Sequence, residues 1–327
     1  MANAFLVIGE AADGALAPLT AEMLGAARRL AGGSGGVSCA LMGSGVEARA
    51  QEAIALGADE ALVVDDAALA EYNSDAYLQA TLKVVEQAAP KVIFFGQSNL
   101  GRDLAPRLAF RLSTGVIMDC VELAMEGDRL VATRPAYGGN ARAVNVVRAD
   151  PQVATVRAKS QDPLERDASR TGSVTKVEAA IDTGAIRTKV TERKGAAGEG
   201  VRLEDAETVV SGGRGLGGSE NFDVIEELAQ ALGAAVGASR AVCDLGWRPV
   251  SEQVGLTGKV VSPTLYIAVA ISGASQHMAG CSGAKNIVAI NKDADANIFK
   301  ASRFGIVEDF SKVMKPLIEA VKKEKAG

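Results

Sequence analysis

From Ser211 to Asp309 the chain alternates glycine-rich turns with short apolar runs, and this alternation restricts the fold of its 327 residues more than any other feature. Ser211–Gly218 reads SGGRGLGG, Gly237–Arg240 reads GASR, Gln253–Lys259 reads QVGLTGK and Ile271–His277 reads ISGASQH. In each, a short apolar run gives way to small residues, which sets backbone N–H groups and a few polar side chains at strand ends. An open α/β sheet cradles a dinucleotide in this way, beyond the carboxyl ends of its strands. His277, the only histidine, ends the fourth piece.

The first half alternates in the same sense. Phe5–Gly9, Val37–Met42, Ala61–Val64 and Val92–Phe95 read as strands; Leu19–Leu30, Glu47–Leu56, Asp75–Ala88 and Arg102–Phe110 read as helices. Strands of four to six apolar residues followed by longer runs at helical period predict βαβ units and a parallel sheet. From Val116 the helices stop. Val116–Met125, Arg129–Ala136, Ala141–Val147 and Gln152–Arg157 read as consecutive strands, expected to add an antiparallel or mixed edge to that sheet. Asp162–Gly200 is polar, with Val174–Ile181 and Lys189–Arg193 as further strands, and Gly195–Gly200 reads as a hinge.

Beyond the hinge a second α/β unit begins. Its strands are Thr208–Ser211, Ala235–Val236, Leu265–Ile271, Ile287–Ile290 and Phe304–Val307, with helices at Asn221–Leu232 and Lys312–Lys323. The expected fold is two α/β domains. Residues 1–198 form a mostly parallel sheet with an added β edge, and residues 199–327 a Rossmann-like, doubly wound domain.

Composition excludes several classes of function. A net charge of −5 argues against a nucleic-acid partner held by phosphate neutralisation. Cys39, Cys120, Cys243 and Cys281 show no CxxC spacing, so neither a zinc site nor a disulfide frame is expected. No apolar run approaches the ~18–20 residues of a membrane span. The run Ala4–Gly9 is too short for a signal core. These features lead us to expect a cytoplasmic protein with no direct membrane insertion. Aromatic residues are only 4% of the chain, so Ala, Val, Leu and Ile must build the cores.

Several side chains stand where a ligand would lie. Arg214, amid glycines, is either a cation for a pyrophosphate or ring face, or simply solvated. Ser239 and Arg240 follow a strand end. Thr257, between Gly255 and Gly258, either bonds a heterocycle nitrogen or closes a turn through its hydroxyl. Ser272, Gly273 and Ala274 precede a short helix starting near Ser275, whose free N–H groups suit an anion, with His277 on its first turn. Asn291 and Asp309 end the next two strands and are candidates for ribose or adenine contacts. Arg102 and Asp103, after FFGQSNLG in the first half, read as either a vestigial nucleotide loop or, preferably, structural residues.

Taken in order, GRGLGG, VGASR, CDLGW, QVGLTGK, LYIAVAISGASQH, IVAINKD and FGIVEDF resemble the C-terminal domain of the α subunit of electron transfer flavoprotein. The resemblance is dense over residues 208–320 and looser before them, in the βαβ order and in LGADEALVVDD. It implies FAD held by Arg214, Ser239, Arg240, Gln253, Val254, Gly255, Thr257, Ser272, Gly273, Ala274, Gln276, His277, Asn291 and Asp309. Arg240 would lie against the flavin ring, Thr257 near its N5 and His277 at its O2 edge. Ser239 and Ser272 would face phosphate, and Asn291 and Asp309 the adenosine. Two departures stand out: Leu256 where a polar residue is common, and Ala270 where glycine is frequent.

The resemblance further implies a separate β subunit, docked by the first domain and carrying AMP or a second FAD. It implies one-electron shuttling from flavin dehydrogenases such as acyl-CoA dehydrogenases to an acceptor such as a membrane quinone reductase, or a part in an electron-bifurcating complex. The FAD domain would swing on the Asp162–Gly200 segment. One-electron reduction puts negative charge on the flavin N1–C2=O2 edge, where His277 and Arg240 would act as fixed donors, a charged His277 more strongly than a neutral one. Two rival readings are an NAD(P)-binding oxidoreductase and a non-redox nucleotide-binding protein. No acidic ribose residue follows SGGRGLGG plainly at the spacing the first requires.

Overall fold

The computed structural model describes residues 5–12, 15–32, 35–139, 141–192 and 203–326. It divides into two compact units: Met1–Ala136 with Arg142–Arg193, and Tyr137–Ala141 with Lys194–Gly327. The hinge read at Gly195–Gly200 lies outside the described residues, as does the 198/199 boundary.

In the first unit, strands and helices alternate as β1 (Phe5–Gly9), α1 (Pro18–Ala31), β2 (Val37–Gly43), α2 (Ala50–Ala55), β3 (Glu60–Asp65), α3 (Ser74–Ala88), β4 (Val92–Gly96) and α4 (Asn99–Arg111). Asn73 and Ser98 cap α3 and α4 by accepting backbone N–H bonds. Five strands follow: β5 (Val116–Cys120), β6 (Glu122–Glu126), β7 (Arg129–Ala136), β8 (Ala141–Val146) and β9 (Gln152–Val156); β10 (Ser173–Lys176) comes last. The seven-stranded sheet runs β10-β3-β2-β1-β4-β9-β5, all parallel. Alternate residues feed two cores. Phe5, Val7, Cys39 and Phe94 meet α1 on one face, while Leu6, Ile8, Ala40 and Phe95 meet α3 and α4 on the other.

The structure corrects the expected β edge. β9 is an interior parallel strand between β4 and β5, and all five of its residues are buried. A strand apolar on both faces needs cover on both, which an antiparallel edge does not provide. The antiparallel residues form their own three-stranded sheet, β8-β7-β6, as an excursion between β5 and β9. Val116–Met125 is also two strands. Asp119, with φ 67°, breaks it: its backbone N–H donates to Thr155 Oγ1 at 2.7 Å, and its carboxylate takes two bonds from Arg157 at 2.8 and 2.6 Å. Glu47–Leu56 is a 3-10 turn leading into the short α2. No strand forms over 189–192, and Arg193 lies outside the described residues. Asp103 is structural, accepting from Tyr72 Oη at 2.8 Å and pairing with Arg107 at 3.0 Å.

The second unit comprises β11 (Thr208–Gly212), α5 (Asp223–Leu232), β12 (Ala235–Ser239), α6 (Arg240–Asp244), β13 (Gln253–Val254), β14 (Leu265–Val269), α7 (Ser275–Cys281), β15 (Asn286–Asn291), α8 (Ile298–Ala301), β16 (Phe304–Val307) and α9 (Phe310–Ala326). Its six strands run β13-β12-β11-β14-β15-β16, all parallel. Tyr266, Ala268 and Cys281 pack on one face; Ile267, Val269, Ile225 and Met314 pack on the other. Counted from β11, this is the doubly wound order 3-2-1-4-5-6. The order reverses between β11 and β14, and that is where a ligand crevice belongs.

Candidate functional site

Two glycine loops meet at that reversal. Gly213 N–H donates to Val269 O at 2.9 Å and Gly215 N–H to Ala270 O at 3.3 Å, so the turn after β11 lies on the end of β14. A Cβ on Gly213 would sit 2.1 Å from Ala270 O, a backbone atom that has nowhere to go. Glycine here is a requirement of close backbone approach. Arg214, between them, is exposed and makes no ion pair among the described residues.

Ala270 has φ 56°, in the left-handed region where a Cβ is unfavourable. This is the position at which the resemblance led us to expect glycine. Ala270→Gly is expected to stabilise the second unit by roughly 0.5–1 kcal/mol, seen as a higher urea midpoint. Trp247, the only tryptophan, packs against that unit's core and gives the fluorescence signal.

The QVGLTGK loop is fastened to α7. Leu256 N–H donates to Gln276 O at 2.7 Å, Lys259 N–H to Gln253 O at 2.6 Å, and Gly255 N–H to Lys259 O at 3.1 Å. A Cβ on Gly280 would lie 2.3 Å from Gly255 N, so loop and helix touch backbone to backbone. Thr257 is exposed and accepts from the buried Gln253 amide at 2.9 Å, which leaves its hydroxyl proton free to donate. Leu256 turns its side chain to solvent and contributes only its backbone.

Ser239 ends β12 and starts α6 without capping it, and Arg240 follows. Arg240 Nε pairs with Asp244 Oδ2 at 3.3 Å, with both side chains about two-thirds exposed. Such a pair contributes at most a few tenths of a kcal/mol and does not hold the guanidinium in place. Ser272, Ala274 and Gln276 are exposed around the start of α7, while Gly273 is buried. No side chain caps α7.

His277 differs from its neighbours. It is 7% exposed, and its Nε2 lies 2.9 Å from the hydroxyl of Tyr266, which is fully buried. Its Nδ1 is buried without a hydrogen-bond partner. Burial pulls its pKa from the ordinary 6.5 to about 4, against a small opposing effect of the Val254 backbone. The ring is therefore neutral at pH 7. Of the two states weighed from sequence, the structure selects the uncharged one.

Asn291 and Asp309 line one small cleft with Gly215, Ala270, Ile290, Lys292 and Phe310. Both side chains also serve the local fold. Asn291 Nδ2 donates to Ile271 O at 2.9 Å, and its Oδ1 accepts from Asp293 N at 3.0 Å. Asp309 accepts from Ser311 N at 3.0 Å and Ser311 Oγ at 2.7 Å, which holds its carboxyl below the usual range. Of the fourteen sequence candidates, Ser239 and Asn291 are the last residues of β12 and β15, Gln253 and Val254 form the short β13, and the rest fall on loops and helix starts beyond the strand ends of this one sheet. Sequence reasoning missed Tyr266 and Ser211, whose hydroxyl is likewise buried and unpartnered. Neither carries a signal, because each reads as one more residue of an apolar strand.

No group of three or more His, Cys, Asp or Glu is arranged for a metal ion among the described residues. No helix among them is long and apolar enough to cross a membrane. A doubly wound sheet with a glycine-lined crevice at its switch point defines the class: a dinucleotide-binding α/β protein carrying a second α/β unit. The family model for the electron transfer flavoprotein FAD-binding domain matches residues 202–282, and that for the electron transfer flavoprotein domain matches residues 5–182. The α subunit of electron transfer flavoprotein from Thermoanaerobacterium thermosaccharolyticum is 45% identical, covering 98% of both chains. That of Bacillus subtilis is 43% identical over the same shares. Protein FixB of Azotobacter vinelandii is 38% identical, over 96% of this chain and 89% of its own. The chain belongs to the electron transfer flavoprotein α-subunit family, and its second unit is the FAD-binding domain.

Proposed function

We propose that the second unit holds FAD along the loops after β11, β12 and β14, and that the chain works with a β subunit as a one-electron carrier. The buried, unpartnered Nδ1 of His277 carries this reading. An orphaned buried polar atom costs about 1–3 kcal/mol, which a ligand's polar edge would recover. Other features of the crevice fit the same cofactor. The turn at Gly213 brings backbone to the strand-end crevice where a pyrophosphate would lie, and Arg214 has no ion-pair partner among the described residues. The hydroxyls of Ser239 and Ser272 make no hydrogen bond among the described residues. These residues suit a dinucleotide better than a metal or a small anion alone.

Bound FAD supplies the redox chemistry. The residues of this chain bind it and set its electrostatics. Thr257 offers a hydroxyl proton, His277 a neutral hydrogen bond, and Arg240 a permanent cation held only by an exposed pair. A donor fixed before the electron arrives, as the buried His277 is, favours the reduced form without reorganisation. We further read the first unit as the docking part for the β subunit and the protein as cytoplasmic. Flavin dehydrogenases such as acyl-CoA dehydrogenases are the electron donors this reading names, and a membrane quinone reductase the acceptor. AMP or a second FAD belongs in the β subunit. A part in electron bifurcation extends the same reading, and a second FAD there is what it requires. An NAD(P) site is disfavoured by the match to an FAD-binding domain across residues 202–282.

The test is co-expression with the neighbouring β-subunit candidate and stepwise anaerobic reduction followed in the visible spectrum. A yellow complex taking up electrons one at a time is expected. Colourless protein after FAD is offered would overturn the proposal. In the yellow complex, Arg240→Ala and His277→Gln should each lower the potential of the first electron by tens of millivolts. That corresponds to ~1–2 kcal/mol at about 59 mV per tenfold change for one electron. Unchanged titrations in both variants would remove these two residues from the site.

A further inference from the structure

We propose that Tyr266 is a positioning residue that locks the chain's single histidine in the neutral tautomer with its proton on Nδ1. The inference rests on the FAD reading for its consequence but not for its geometry. Tyr266 is the second residue of β14, fully buried, and the one partner of its hydroxyl at hydrogen-bond distance among the described residues is His277 Nε2, at 2.9 Å. A buried hydroxyl with a single partner satisfies its proton only by donating it. The nearby Ser211 hydroxyl has no partner at hydrogen-bond distance, and its effect on Tyr266 is that of a donor towards the phenol oxygen, which leaves the phenol proton to His277. Nε2 is therefore the acceptor. A neutral imidazole that accepts at Nε2 carries its proton at Nδ1.

The assignment rests on the partner of Nε2, which is how a tautomer is read when hydrogens are unseen. The consequence is directional. His277 presents a donor at the atom left without a partner, and it keeps that donor without becoming charged. With the tautomer reversed, the same ring would offer a lone pair and repel a ligand carbonyl. A hydrogen bond from a strand residue therefore decides the sign of the interaction at the site.

The experiment uses the complex of the full chain with its β subunit, grown with ¹⁵N-labelled histidine. The His277 signals are assigned by their loss in His277→Gln. We expect a pyrrole-type Nδ1 and a pyridine-type Nε2, unchanged from about pH 8 to about pH 6. Tyr266→Phe keeps the ring and removes only the donor. In it the ratio of the two tautomers should fall at least about tenfold, the change set by a hydrogen bond of ~1.4 kcal/mol. The one-electron potential should fall with it, although Tyr266 is not a cofactor contact. A pyrrole-type Nε2 in the unsubstituted chain overturns the proposal whether or not the variant folds. A tautomer ratio unchanged by Tyr266→Phe also overturns it. Failure of the FAD reading shows separately, as a colourless protein whose Nδ1 is still protonated.

Discussion

Gly213→Ala is expected to cost the second unit about 3 kcal/mol or more of stability. The added Cβ would meet Ala270 O at 2.1 Å and its carbonyl carbon at 2.6 Å, both backbone atoms of a fully paired stretch. Ala270 N–H is bonded to Ile290 O at 2.8 Å and Gly213 N–H to Val269 O at 2.9 Å, so neither side gives way without breaking the ladder at the switch point. Overpacking against flexible side chains costs ~1–3 kcal/mol, and backbone that cannot move lies at or beyond the upper end. Urea unfolding followed by Trp247 fluorescence measures the loss. FAD retention in the complex should fall with it, because the same displacement moves Arg214. Gly127→Ala is the control: it lies in the first unit, at φ 62° with nothing within 4 Å of the added carbon, so it should leave the Trp247 transition in place. A midpoint for Gly213→Ala within a few tenths of a kcal/mol of the parent would show that the turn does not rest on β14.

The second large effect concerns acid. His277 has a folded pKa of about 4 against 6.5 when exposed. The unfolded chain therefore binds the extra proton between those values while the folded chain refuses it. Stability from this group is complete above pH 6.5 and drains away as pH falls towards 4, amounting to roughly 3 kcal/mol in all. Carboxylates add their own acid dependence, so the informative quantity is a difference. Plotted against pH, the stability gap between the parent chain and His277→Gln should shrink by most of that amount between pH 6.5 and 4. A gap that stays constant would mean the histidine titrates normally and is not buried as described.

Much of the architecture was legible because period and punctuation agree in this chain. β1 to β4 and their helices follow the alternation of short apolar runs with helical stretches, and the second unit's strands fall where glycines end the apolar runs. What sequence could not supply was partnership. Gln152–Val156 looks like one more strand in a series of hairpins, and only its burial on both faces places it inside the parallel sheet. The candidate site was legible as a set of positions, since strand-end loops of a doubly wound sheet converge whatever their sequence. The state of its histidine was not legible. That state depends on Tyr266, eleven residues away, and on burial that arises only when the QVGLTGK loop closes on α7.

The antiparallel excursion between β5 and β9 has a consequence for how the chain must be assembled. Among the described residues β9 is the only strand paired with β5, and it pairs with one whole edge of β4, with Gln152 opposite Val92. A nascent chain that has emerged through β8 thus holds a five-residue open edge on β4 and a strand, β5, with no sheet to join. Closing that gap means bringing together residues separated by the whole excursion, a slow and non-local step. Until then the open edge is available to another chain. Pairing of β6 with β7 as a local antiparallel hairpin would shorten the effective loop that has to close before β9 joins β4 and β5.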